Sequence, residues 1–364
     1  MNDLGIYIHV PFCGKKCGYC DFYSLKYSKD NADAYIQAVL RNLDHYGKTQ
    51  TAVDTVYFGG GTPSLLSPEQ LALIIERIQS RFSLEENCEI TLEANPSGLS
   101  PDRLKKLRYI GINRLSIGVQ SMTDSELQFL GRSHSSARAE KAVLDAADAG
   151  FDNISCDLML ALPGQTWKSL EYSLNRLCSM PISHISAYIL KVESGTPFDC
   201  ANVRSHLPDD ELTAELYLHT VDILEQHGFL QYEVSNFAKP SFESRHNCRY
   251  WQCRDYLGIG PSAHSCCGGK RFAAESDLEK FISSHVQPVY VTDESPCGFE
   301  EYAMLRLRLR DGLDLRSAGE KRSMIEKKLP PLIKAGYIIF NNDIISLTPK
   351  GFLMSNSVIE YLIF

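Results

Sequence analysis

The sequence of 364 residues contains no apolar run approaching the roughly 18 residues that a helix needs to cross a bilayer. It has no basic excess: 37 Lys and Arg stand against 45 Asp and Glu, a net charge of −8. A broad phosphate-binding face shows as a basic patch, so no nucleic-acid partner is expected. Met1 to Val10 carry neither the basic stretch nor the length of a secretory leader. The expected location is therefore the cytoplasm. Low-complexity segments and internal repeats are missing as well.

Cysteine, by contrast, is plentiful at 12 residues. In a reducing compartment such residues are metal ligands and free thiols rather than disulfides. Cys88, Cys156, Cys178, Cys200 and Cys297 show no ligand spacing and read as packing residues, as does the adjacent pair Cys266-Cys267. Cys13, Cys17 and Cys20 are placed differently, in C-x3-C-x2-C just after the apolar run Ile6–Val10 and Pro11. A loop this short can wrap three thiolates around one positively charged object. Structural zinc wants a fourth protein ligand to complete its tetrahedron. An iron–sulfur cube held by three thiolates leaves one iron open to a further ligand.

Six apolar, β-branched runs recur in the first 190 residues: Ile6–Val10, Thr55–Phe58, Glu89–Glu93, Arg114–Val119, Asn153–Leu160 and His184–Leu190. Helical patterns lie between them. Ser67-Pro68-Glu69-Gln70 is a capping box opening a helix to about Phe82, and Ser100-Pro101 opens another that stops near Gly111. Two more span about Ser136 to Ala149 and Thr166 to the residues before Pro181. This alternation implies parallel strands joined by right-handed crossovers, six units forming an incomplete (β/α)6 barrel. Chemistry in such barrels gathers at the C-terminal strand ends. The unusual residues fall there: the cysteines after the first strand, Gly59-Gly60-Gly61-Thr62-Pro63 after the second, Glu93 and Gln120 closing the third and fourth, Asp157 in the fifth, Tyr188 and Ile189 in the sixth. Taken singly, each has a bland reading as a tight turn, a rim carboxylate, an end-cap or, for Arg132, a solvated loop charge. The glycine run lacks the lysine of a phosphate-binding P-loop.

Tyr7-Ile8-His9-Val10-Pro11-Phe12-Cys13 and Tyr19-Cys20-Asp21-Phe22, around the cysteine loop, resemble the radical S-adenosylmethionine (SAM) superfamily. Within it they are similar to the branch of oxygen-independent coproporphyrinogen III oxidases and HemW-type heme chaperones. The resemblance implies an α/β fold: a partial (β/α)6 radical SAM barrel with a C-terminal α+β winged-helix-like domain. It implies that Cys13, Cys17 and Cys20 hold a [4Fe-4S] cluster, with Tyr7 and Tyr19 close to it. Gly60, Gly61 and Thr62 are implied at the methionine amino end of SAM, Glu93, Gln120, Arg132 and Asp157 at its other polar groups, and Ile189 against the adenine. An electron donor for the cluster is implied too.

Beyond the barrel, Pro208 to about Gly228 reads as a long helix. His246-Asn247-x-x-Tyr250-Trp251 follows, in a polar, Gly-rich setting. Chemically it suits either a buried, hydrogen-bonded histidine in a packed connector or a macrocycle reached by imidazole and stacked on rings. The motif is similar to the H-N-x-x-Y-W of HemW-type chaperones, where it is linked to heme. From about Pro296, helical patterns over Phe299–Leu309 and Ser317–Leu329 precede strand patterns over Leu332–Ile338 and Ile344–Thr348, resembling a small winged-helix module. Residues 299–364 hold ten Lys and Arg against eight Asp and Glu, too even for DNA binding. The expected division is thus a radical SAM core over 1–235, a connector over 236–295 and a C-terminal domain over 296–364.

Two departures separate chaperone from oxidase. The oxidases carry a further cysteine two residues after the third, where this chain has Phe22, and a long N-terminal extension, where it has twelve residues before Cys13. Both favour a chaperone that binds heme and hands it to an acceptor protein, with membrane association only through that acceptor. An oxidase acting on propionate side chains is the alternative.

Overall fold

The structure is a computed structural model that describes residues 3–47 and 51–364. Residues 1–2 and 48–50 of the expected 1–235 core therefore lie outside the described residues. The six expected strands are β1 (Leu4–Val10), β2 (Ala52–Gly60), β3 (Ser83–Ala94), β4 (Arg114–Gln120), β5 (Asn153–Leu160) and β6 (His184–Ile189). They pair in sequence order, all parallel.

Crossover helices cover the outer face: α1 (Lys29–Tyr46), α2 (Pro68–Arg81), α3 (Pro101–Tyr109), α4 (Ser136–Asp148) and α5 (Trp167–Cys178). Their starts follow from capping chemistry. Ser67 accepts from the Gln70 N–H while Gln70 reaches back to the Ser67 N–H, completing the expected box. Ser100, Ser135 and Thr166 likewise cap α3, α4 and α5.

Strand alternation sorts the barrel into two chemistries. Ile6, Ile8, Val56, Phe58, Leu92, Leu115, Ile117, Ile154 and Leu158 are buried in one apolar core beneath the helices. The intervening positions Thr55, Thr91, Arg114, Ser116, Ser155, His184 and Ser186 are also buried, but polar. They line the other face of the sheet, the barrel interior.

Residues 236–295, expected as a connector, contribute strands to both edges of this sheet. Asn236–Ala238 pairs antiparallel with β6. Tyr256–Ile259, here β7, pairs parallel with β1, placing Gly5 beside Tyr256 and Ile8 beside Ile259. A seventh parallel strand thus joins the six that periodicity predicts, because four residues among glycines carry too short a pattern to read. Three antiparallel strands, His264–Cys267, Lys270–Ala274 and Val289–Asp293, extend that edge. Before this region, α6 (Asp210–Gln226) occupies the stretch read as a long helix, and α7 (Arg245–Trp251) makes the His-Asn-x-x-Tyr-Trp segment helical.

The C-terminal domain packs α8 (Phe299–Arg306) and α9 (Arg322–Lys334) with a three-stranded antiparallel sheet of Leu313–Asp314, Ile344–Leu347 and Ile338–Asn341. Two expectations shift. The helix expected over Ser317–Leu329 begins at Arg322, after Gly319 takes a left-handed φ of 51°, and runs through Pro330-Pro331. Its buried stripe, Ile325 and Leu329, holds the helix against the core despite the two missing donors. The strand expected from Leu332 consequently starts at Ile338. Asn342 and Asp343, both at positive φ, turn it into its partner. Among the described residues, no helix is long and apolar enough to cross a membrane.

Candidate functional site

The loop carrying the three cysteines is anchored at its base. Phe12 is fully buried, edge-on to Tyr27 and Tyr35, and Phe12–Cys13 pairs with Leu25–Lys26. The glycine turn after β2 docks on the same base, with the Gly61 N–H donating to Val10 and the Thr62 N–H to Phe12. Gly60 has φ 107°, and a Cβ there would meet the His9 ring at 2.7 Å. This position therefore needs glycine.

Between loop, turn and strand ends lies a cavity of about 380 Å3. Cys17, Cys20, Tyr19, Gly60, Gly61, Thr62, Glu93, Gln120, Arg132 and Asp157 all line it. Ten residues from six separate stretches thus converge on one rim. Cys13 is at its edge, with Thr62 Oγ1 3.6 Å from its Sγ. Each of the three thiols is free and partly exposed. Among the described residues, no three His, Cys, Asp or Glu side chains close around a point suited to a single metal ion.

Charge is arranged across this cavity. Arg132 Nη1 lies 3.5 Å from both Cys17 Sγ and Tyr19 Oη, and its Nη2 donates to the Gly118 carbonyl at 2.8 Å. Its buried Nε has no protein partner. A Cβ on Gly118 would press on both Arg132 and Gln120, so glycine there makes room for the pair. Gln120 itself holds φ 70°, a strained value for a residue with a side chain.

Opposite the arginine stand two carboxyls. Glu93 accepts from Tyr57 Oη at 2.8 Å and from the Gly60 N–H at 3.2 Å. Asp157 accepts from Ser116 Oγ at 3.1 Å. Burial pushes Glu93 up to about 7, with the Asp157 charge adding to it, and burial likewise pushes Asp157 up to about 6. Two carboxyls that ionise reluctantly suit a cationic ligand, which restores their charge.

Sequence reasoning misses Ser116, which lines this wall, and Tyr57 and Arg114 behind it. Tyr57, Ser116 and Arg114 lie on the interior face two residues before Gly59, Gly118 and Ser116, respectively; extending the period of two back from the rim would have found them. Ile189 is not among the lining residues; its neighbour Tyr188 is, since successive side chains alternate across a strand. Tyr7 lies below the cavity, its Oη 3.0 Å from His9 Nδ1.

The His-Asn-x-x-Tyr-Trp segment occupies the opposite end of the barrel. Glu89 caps the first turn of α7, accepting from the Arg245 and His246 N–H groups at 3.2 and 3.1 Å. Arg249, 0% exposed, is bonded to Asp54, Thr55 and the carbonyls of Asp3 and Asp255. His246 is also 0% exposed; its Nδ1 is 2.9 Å from Thr55 Oγ1 and its Nε2 2.9 Å from Tyr250 Oη. Burial lowers its basicity to a pKa of about 3, so the ring is neutral. Asn247 and Trp251, four residues apart on another face of α7, remain partly exposed.

Comparison with known proteins agrees with this architecture. The family model described as the radical SAM superfamily matches residues 7–177, and the HemN C-terminal domain matches residues 299–354. A Bacillus subtilis protein named heme chaperone HemW is 37% identical over 97% of this chain and 97% of its own. The chain belongs to the HemW family of the radical SAM superfamily. HemW of Escherichia coli is 33% identical over 99% of this chain and 98% of that one. The solved structure of E. coli coproporphyrinogen III oxidase (HemN), a radical SAM enzyme, superposes with a TM-score of 0.83 over 100% of this chain and 90% of that chain. At 23% identity the likeness establishes the fold. Superfamily membership implies a [4Fe-4S] cluster and SAM.

Proposed function

We propose that this chain is a heme chaperone that holds a [4Fe-4S] cluster and SAM at the rim and passes heme to an acceptor protein. The observation that carries the reading is the convergence of three free thiols on a cavity of small-molecule size that Glu93, Gln120, Arg132 and Asp157 help to line. The residues fit the two groups. Cys13, Cys17 and Cys20 would hold the cluster, with the Arg132 guanidinium 3.5 Å from the Cys17 sulfur. Glu93 and Asp157 would face the cationic part of SAM, with Gly60, Gly61 and Thr62 presenting backbone to its amino end. Arg132, which lines the cavity, would face its carboxylate, and Gln120, Tyr19 and Tyr188 complete the wall. When bound, cluster and SAM supply one-electron chemistry, which requires an electron donor. The chain's own part is to orient them and exclude water.

For heme, the motif members that retain exposure are Asn247, Tyr250 and Trp251, and the contact is assigned to Asn247 and Trp251, whose side chains are not tied to His246. His246 and Tyr250 bond to each other. The chaperone reading draws support from HemW relatives that match almost the whole chain. Phe22, 58% exposed, is part of the cavity wall.

The test is anaerobic. Cluster-reconstituted protein is loaded with heme and mixed with apomyoglobin, while a parallel sample receives coproporphyrinogen III, SAM and a strong reductant. Heme transfer without protoporphyrinogen is the expected result. Protoporphyrinogen that depends on the three cysteines would make the protein an oxidase, and failure to bind heme would contradict the chaperone reading.

A further inference from the structure

The floor and the rim of the barrel are joined by a short chain of contacts. The His246 ring stacks on Tyr57, centroids 5.2 Å apart at 28°, and on Tyr7 at 6.3 Å and 29°. Tyr57 in turn donates to Glu93 Oε1, and Glu93 is in the cavity wall. Both nitrogens of His246 are held, one by Thr55 and one by Tyr250, so the ring is a fixed platform. Glu89 and Arg249 fix the helix that carries it.

We propose that His246 is a positioning residue for the rim cavity: by stacking on Tyr57 it fixes the phenol that orients the Glu93 carboxylate toward the cationic part of SAM. This rests on the reading of Glu93 as a SAM contact. A hydrogen bond donated to a carboxylate favours its ionised form, and burial opposes it. Glu93 is faced by Tyr7 from β1, Tyr57 from β2, Arg114 from β4, Asp157 from β5, Tyr188 from β6 and Tyr250 from α7. Of these, Tyr57 donates the side-chain hydrogen bond, so misplacing it shifts the pH at which Glu93 ionises upward.

Substitutions separate a platform from an iron ligand. His246→Phe keeps a ring to stack and has no nitrogen; His246→Ala removes both. SAM affinity is measured by anaerobic equilibrium dialysis on the full-length, cluster-reconstituted protein across the pH range in which Glu93 ionises, with circular dichroism confirming each fold. His246→Ala is expected to weaken SAM binding about tenfold near neutral pH, within the range for coupled neighbours, and to raise its pH midpoint. His246→Phe should recover most of both effects. Tyr57→Phe, which keeps the ring and removes the donor, should raise the midpoint without any change at His246. Unchanged midpoints in Tyr57→Phe, or His246→Phe as impaired as His246→Ala, would overturn the inference. Glu93→Gln serves as the control: if it binds SAM like the parent, the Glu93 assignment itself fails.

Discussion

The two ends of the barrel interior are built from similar residue types and behave differently. At the rim, glycines at 60 and 118 remove side chains, the thiols are free, and Arg132 Nε lacks a partner. At the floor, the polar groups of His246, Arg249 and Thr55 are matched to one another, to Asp54 and to backbone carbonyls. Satisfied polar networks rigidify a core, whereas open glycine turns and free thiols around a cavity leave room for a ligand. The rim is the working end and the floor is the frame.

The sharpest way to break this contrast is at the floor. Arg249→Ala removes the buried partner of Asp54, leaving it only the half-exposed Arg254 and Arg245 at 3.4 and 3.7 Å, and strips the Asp3 and Asp255 carbonyls of their donor, which should cost about 3 kcal/mol of folding stability. Denaturant unfolding measures it, and a loss near zero would mean the floor is not the frame. At the rim the effect falls on binding instead. Glu93→Ala should cost about 1.5–3 kcal/mol of SAM affinity, the worth of a hydrogen bond to a charged group, with stability little changed. Calorimetric titration of SAM reads this directly.

Proton linkage sharpens the comparison further. Glu93 and Asp157 are raised to about 7 and about 6 by burial. Their contribution to folding stability is present at low pH and is lost as pH rises through those values. A cationic ligand selects the ionised forms, so SAM affinity should rise with pH from about 6 to above 7. A flat profile would remove both carboxyls from the contact. The smallest effect is expected at Gln120. Replacing it with glycine relieves the left-handed backbone, so stability should hold or rise by up to about 1 kcal/mol while SAM binding weakens.

Much of the fold was legible in the sequence because periodicity and caps act locally. Asn153–Leu160 is a strand with the boundaries its β-branched pattern predicts, and Ser67 and Gln70 close their box. The rim residues were legible as a constellation, since strand ends lie where the apolar runs stop. Tyr57 was not, because a tyrosine within an apolar strand reads as core until cross-strand register sets it beside Tyr7 and near Glu93. Nor was the orientation of α7. Residue types alone do not distinguish a histidine aimed at a ligand from one held by Thr55 across 191 positions of sequence.

The most direct test of the rim as the working end is an anaerobic SAM titration of the reconstituted protein and of a Cys13→Ser, Cys17→Ser, Cys20→Ser variant, with bound iron and cluster absorbance followed on the same samples. The account predicts a folded variant that carries no cluster and has lost most of its SAM affinity. A variant that keeps its cluster, or binds SAM as tightly without one, would contradict it.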